Sequence, residues 1–327
     1  MSREASAEVA SGSRSATRSA KSGWGRVVTH PFYRRVAGAL LASERRRLFL
    51  LAMLPLAWIA IMNIGPILQM IRISFLDGYP PTAGRVPVAT LDNWLVFFRE
   101  WFYQVPFVRT FTFSAVLTLA TLVITYPIAY YLAKKVPRGR QLRYLLLLLT
   151  PFWVGEIVRT FAIMILLGNR GFLNLALMWL GLTERPIPFM YTNFSLGVGV
   201  IYLTSLYMLL PLYAAPEKIP DSQLEAAADL GAGPWTRLRR VTLPLSKDGI
   251  ASGCTLVFLT STGYYATPLL LGGPDTTLFA ETIGGFFHVA GDEWPIGAAF
   301  SSIMLISTLA LTGLFLRLMG RRGSLLA

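Results

Sequence analysis

Two ionisable side chains, Glu156 and Arg159, stand inside the otherwise apolar run PFWVGEIVRTFAIMILLG. A charge at membrane depth is costly and ordinarily faces a partner or a water-filled route. A spacing of three places the pair on one helix face, where they can neutralise each other. Two roles therefore stay open for Glu156: counter-charge to Arg159, or wall of a cation route. A second group, Thr260, Ser261, Thr262, Gly263, Tyr264 and Tyr265, offers hydroxyls and aromatic faces. Such faces attract ammonium groups by about 0.5–2 kcal/mol each, although small hydroxyl residues also let helices pack closely. Neither group is catalytic. The only histidines, His30 and His288, are too far apart in sequence for a visible zinc pair or triad. The single Cys254 excludes an intramolecular disulfide and a CxxC cluster. No Gly-Lys dipeptide occurs anywhere, so the lysine-bearing phosphate cradle of an ATP-binding chain is missing. What remains is the placing of charged and hydroxyl groups in a low dielectric, on a chain without that phosphate cradle of its own.

The elements that must position these residues are membrane helices. In a chain of 327 residues, 54% hydrophobic against 14% charged is too oily for a water-facing surface. Runs of roughly 20 apolar residues, the length a bilayer requires, fall at 48–71, 108–133, 144–167, 191–212, 249–271 and 294–316. The expected fold is an all-α membrane protein of six transmembrane helices. A short helix is expected near Leu91 to Phe98, and the apolar piece from Gly171 to Leu182 is expected at the outer interface. The Ser-, Ala- and Arg-rich segment 1–47 reads as a basic, mostly disordered tail, 48–316 as the transmembrane domain, and 317–327 as a second tail.

Charge sets the orientation. Of 30 Lys and Arg, ten precede Leu48, five lie between the second and third runs, five between Lys218 and Lys247, and three at the C-terminal end. Asp275, Glu281, Asp292 and Glu293 lie in the last intervening loop without a base among them. The positive-inside rule then puts both termini in the cytoplasm. The net charge of +13 is accounted for by these loops, and no nucleic-acid partner is expected. The outer acids are expected as solvated groups or as contacts for an external partner.

Between the fourth and fifth runs lies DSQLEAAADLGAGPWTRLRRVTLP, residues 221–244. Ser222 and Glu225 have capping-box spacing at a helix start. Gly231 and Gly233 stop that helix, and Pro234 restarts one where a missing N–H costs least. Trp235, Leu238 and Val241 recur every three residues among Arg237, Arg239 and Arg240, a stripe that fits either a partner or the chain's own helix ends.

Glu225-Ala226-Ala227, Gly231 and Leu243-Pro244 resemble the EAA loop of permease subunits of bacterial binding-protein-dependent ABC importers. Pro151-Phe152-Trp153, Arg159, Gly168 and Gly171-Phe172-Leu173-Asn174 are most similar to its spermidine and putrescine branch. The resemblance implies a multi-pass bacterial inner-membrane permease, not an enzyme, whose cytoplasmic loop docks a coupling helix on an ABC ATPase subunit. Glu225, Ala226, Ala227, Gly231, Trp235, Leu238 and Pro244 are its implied coupling residues. Glu156, Arg159, Thr260, Tyr264 and Tyr265 are the candidates for the translocation path, Arg159 having a structural role in that branch. The implied partners are ATPase subunits that use ATP and Mg, a second homologous permease in a heterodimer, an external solute-binding protein and the lipid membrane. No cofactor or metal is expected on this chain. The implied cargo is a polyamine or similar organic cation. Relatives carrying opines, phosphonates or iron keep other solutes open, and a self-contained secondary transporter is the rival class.

Overall fold

In the computed structural model, which describes residues 44–80, 86–288 and 293–324, every regular element is a helix and no strand occurs among the described residues. Five helices are long and apolar enough to cross a membrane: Leu51–Ser74, Trp101–Lys134, Glu156–Trp179, Asn193–Glu217 and Trp294–Leu318. The expected tail 1–47 lies mostly outside the described residues, but its last four residues open the helix Glu44–Ile59. At the other end Trp294–Ser324 stays helical past the expected boundary at 316. The expected short helix forms at Asp92–Arg99, where Asn93 donates to the carbonyls of Ser74 (2.9 Å) and Leu76 (2.8 Å).

The described residues before Met70 and those from Met70 onward form separate units. Within the second, Asn193–Glu217 is the central helix, packed along Trp101–Lys134 and Lys247–Thr262. One core cluster joins these three through Tyr126, Ala129, Met208, Leu212 and Val257. Close approach depends on Gly249, where a Cβ would lie 2.4 Å from Ala215 Cβ and 2.6 Å from the Pro211 carbonyl oxygen. A second cluster is aromatic: Phe97, Phe279, Phe286 and Phe300 bring together the helices Asp92–Arg99, Phe279–His288 and Trp294–Ser324.

Two expected spans are not continuous. The run 144–167 divides into Arg138–Leu149, a 3-10 turn Thr150–Trp153 and Glu156–Leu167. Pro151 opens this break, since proline cannot donate within a helix, and Val154 and Gly155 then run in extended backbone up to Glu156. The run 249–271 divides into Lys247–Thr262 and Ala266–Leu271, interrupted at Gly263 to Tyr265. Neither Lys247–Thr262 (16 residues) nor Ala266–Leu271 (6 residues) alone has spanning length.

Candidate functional site

The 221–244 segment folds as two helices on either side of a glycine turn. Asp221–Asp229 ends in a left-handed Gly231 (φ 81°), with Gly231 N–H bonded to Ala228 O (2.8 Å) and Ala232 N–H to Ala227 O (3.0 Å). That paired arrangement closes a helix C-terminus by satisfying its free carbonyls. Pro234–Arg237 begins the second helix, which continues through a π turn at Leu238–Thr242 into Leu243–Leu245. The expected capping box does not form. Pro220 is the N-cap, with no side-chain cap bond, and Ser222 sits inside the helix.

The carboxylate of Asp221 is drawn elsewhere. Lys134 Nζ, at the end of Trp101–Lys134, donates to Asp221 Oδ1 at 2.9 Å and also to the Ile219 carbonyl, while Arg138 Nη2 lies 3.6 Å from Asp221 Oδ2. The hydrogen bond from Lys134 holds the Asp221 carboxyl below the ordinary carboxylate range, with the charges of Lys134 and Arg138 adding to it. A second tie lies nearby. Tyr213 O–H donates to Glu217 (3.0 Å), and Gln141 Nε2 donates to the carbonyls of Ala133 (3.1 Å) and Val136 (3.0 Å). Tyr213 O–H also reaches Gln141 Oε1 (3.5 Å), which holds the basic connection after Lys134 beside the end of Asn193–Glu217.

The two helices of the hairpin sit in different surroundings. Asp221–Asp229 has no buried residue, and Glu225 and Ala226 are exposed with Ala227 half-buried. Leu230 is 89% exposed and Trp235 71%, an apolar edge without cover among the described residues. Leu238 and Leu243 instead pack against the core cluster of Tyr126 and Met208, and Pro244 is exposed beside them. Trp235 and Leu238, alike by spacing, thus face different surroundings.

Within the helical body, the two helix breaks meet. Glu156 occupies the first turn of Glu156–Leu167, where an acid suits the helix dipole. Thr267, in the first turn of Ala266–Leu271, donates from Oγ1 to Glu156 Oε1 (3.3 Å), and its hydroxyl also pairs with that of Thr160 (3.2 Å). Tyr264 is buried in the second break, its hydroxyl within electrostatic reach of Glu156, Tyr207 and Arg159. Arg159 is only 6% exposed, and its Nε and Nη1 find no hydrogen-bond partner among the described residues. No ion pair joins it to Glu156 there, despite their spacing on one helix.

Of the five candidates for a path, Glu156, Arg159 and Tyr264 converge, and two do not join them. Thr260 Oγ1 is spent on the carbonyls of Leu256 (2.8 Å) and Val257 (3.1 Å) of its own helix. Tyr265 stacks on His288 at 6.2 Å and lies against Gly284. Sequence reasoning missed Thr160 and Thr267. Thr267-Pro268 directly after the Gly263 to Tyr265 interruption was the available signal, because proline favours the first turn of a helix. Among the acids of the last loop, Glu281 turns inward. Its Oε1 accepts from Leu278 N–H (2.9 Å), and burial raises its pKa.

Comparison with known proteins follows the same outline. The family described as binding-protein-dependent transport system inner membrane component matches residues 82–322. The chain is 35% identical over 249 residues to the spermidine/putrescine transport system permease protein PotB of Escherichia coli K12, covering 76% of this chain and 89% of that protein. It is 29% identical over 310 residues to the inner membrane ABC transporter permease protein YdcU of the same organism, covering 90% and 96%. In fold it matches a bacterial ABC transporter involved in the import of the acidic polysaccharide alginate. There the TM-score is 0.65 over 86% of this chain and 99% of that one, at 17% identity.

Proposed function

The chain belongs to the family of binding-protein-dependent transport system inner membrane components, and we propose that it forms half of the route by which an ATP-driven importer brings a polyamine or similar organic cation into the cell. It is a transport permease, not an enzyme. The observation that carries the cargo assignment is the 35% identity to a spermidine/putrescine permease over 89% of that protein's length. Glu156 supports it locally, as a carboxylate placed between two broken helices, an arrangement that transporters use for solute contact.

In this reading the helices Lys247–Thr262 and Ala266–Leu271 act together as the fifth of six spans, with both termini in the cytoplasm. The route runs past Glu156, Arg159 and Tyr264, with Thr260 and Tyr265 further along its wall. The hairpin 221–244 is the cytoplasmic coupling element. Glu225, Ala226, Ala227 and Trp235 meet the ATPase, Gly231 shapes the turn, and Leu238 with Pro244 passes the movement on to the bundle. ATP and Mg are used by that ATPase. This chain binds no cofactor, and a second, homologous permease and an external solute-binding protein complete the importer.

The test is uptake of radiolabelled spermidine and putrescine into proteoliposomes holding this chain, its companion permease, the ATPase and the binding protein. Saturable, ATP-dependent accumulation of either amine is expected. Accumulation by this chain alone on an ion gradient would instead identify a secondary transporter, and accumulation of only anionic or neutral solutes would refute the cargo.

A further inference from the structure

In its second half the central helix Asn193–Glu217 buries Leu206, Met208, Leu209, Leu212, Tyr213 and Pro216 and leaves one face less covered. Tyr207, Pro211, Ala214 and then Lys218 at the C-cap follow one another along that face at helical spacing. The strip starts at the two helix breaks. The Tyr207 ring meets that of Phe152, in the turn before Glu156, edge-on at 5.5 Å, and Tyr207 lies within electrostatic reach of Tyr264. It ends in an open pocket of about 470 Å³, which Asp248 and Ser252 of Lys247–Thr262 line from the other side. Asp248 and Lys218 share this pocket, yet among the described residues neither charged group has an ion pair or a hydrogen bond. Pro211, Ala214 and Ala215 give it an apolar wall.

We infer that this pocket is a second resting place for the cargo, at the inner end of the route, where an ammonium group of the amine meets the Asp248 carboxylate before release. The inference rests on the organic-cation reading and adds a site to it. An alkyl amine suits the lining, with the carboxylate for its charged end and the proline and alanine wall for its stem. Asp248 is exposed in the first turn of its helix, where the dipole favours an acid, so it is held ready without a basic partner. Lys218 offsets it. A pocket whose one acid and one base cancel holds an ammonium loosely, and passage through successive sites requires binding weak enough to leave. Glu156 at the breaks and Asp248 at the inner end are then two stations joined by the open face of the central helix.

The experiment labels a cysteine placed in the pocket. Cys254, the single cysteine of the chain, is changed by Cys254→Ser and a new thiol is introduced by Ser252→Cys. The complete importer carrying both changes is held in nanodiscs, and its reaction with N-ethylmaleimide is read by mass on this chain. Spermidine or putrescine should slow labelling about fivefold, the worth of one charge contact at a wet surface. Asp248→Asn should remove the protection, Lys218→Gln should strengthen it, and Glu184→Gln, an exposed acid outside the pocket, should leave it as it was. Opposite effects of the two pocket charges are not expected from a purely structural role, and elution of each complex as one species establishes folding. Absence of protection overturns the inference. So does protection that survives Asp248→Asn, or that sodium chloride of equal ionic strength reproduces. Uptake by the same importer in proteoliposomes separates the two levels: if amines accumulate and the thiol is not protected, this inference falls alone, and if no amine accumulates, the cargo reading falls with it.

Discussion

Lys134 and Asp221, 87 residues apart in the chain, meet at 2.9 Å and fasten the end of one long helix to the start of the hairpin. The lysine side chain is 7% exposed and the aspartate 57%, so solvent screens much of the attraction. Exposed pairs of this kind contribute about 0.2–1 kcal/mol. Because the folded state depresses the Asp221 pKa, the contribution is full above the ordinary carboxylate pKa and fades as pH falls through the depressed one. Thermal unfolding of wild type and Asp221→Asn across the acid range should show a small gap at neutral pH that closes at low pH. A gap that widened on acidification would contradict the assignment.

Glu225→Lys should abolish uptake while leaving the chain in the membrane at normal level. Glu225 is exposed on a helix with no buried residue, so the change disturbs no packing. Membrane fractionation alongside the uptake assay checks both halves of the statement.

Gly231→Ala should loosen the turn. Its φ of 81° is open to glycine but strained for alanine, while a Cβ there would touch nothing within 4 Å. The expected cost is about 1 kcal/mol, from backbone conformation alone. Faster amide exchange in residues 227–233, with exchange in the central helix unchanged, is the measurement to make.

Glu156→Gln keeps the shape of the side chain and removes its charge. Amine uptake should show a KM raised several-fold, with ATP hydrolysis still stimulated by the loaded binding protein. Thr267→Val should have a milder effect, because hydroxyl bonds between membrane helices average about 0.6 kcal/mol. An unchanged KM in Glu156→Gln would leave that carboxylate with its neighbours and not with the cargo.

Much of this architecture can be read from the chain itself. Hydropathy locates the long helices, and Gly231 with Pro234 announces the turn and restart of the hairpin. The breaks beside Glu156 and Tyr264 are harder to see, because hydropathy measures oiliness and not continuity: Phe152, Trp153 and Val154 are as apolar as any helical stretch. The capping spacing of Ser222 and Glu225 misleads for another reason. The helix starts before Ser222, at Asp221 with Pro220 as its N-cap, so Ser222 already lies inside it. The pairing of Thr267 with Thr160 and Glu156 is tertiary, made across more than 100 positions.

The burial of Leu238 and Leu243 against Tyr126 and Met208 has a mechanical corollary. A segment seated among the very side chains that hold three helices together cannot swivel on its own. Any torque on the exposed half of the hairpin is delivered to the body with little slack, much as a key turns the barrel of a lock.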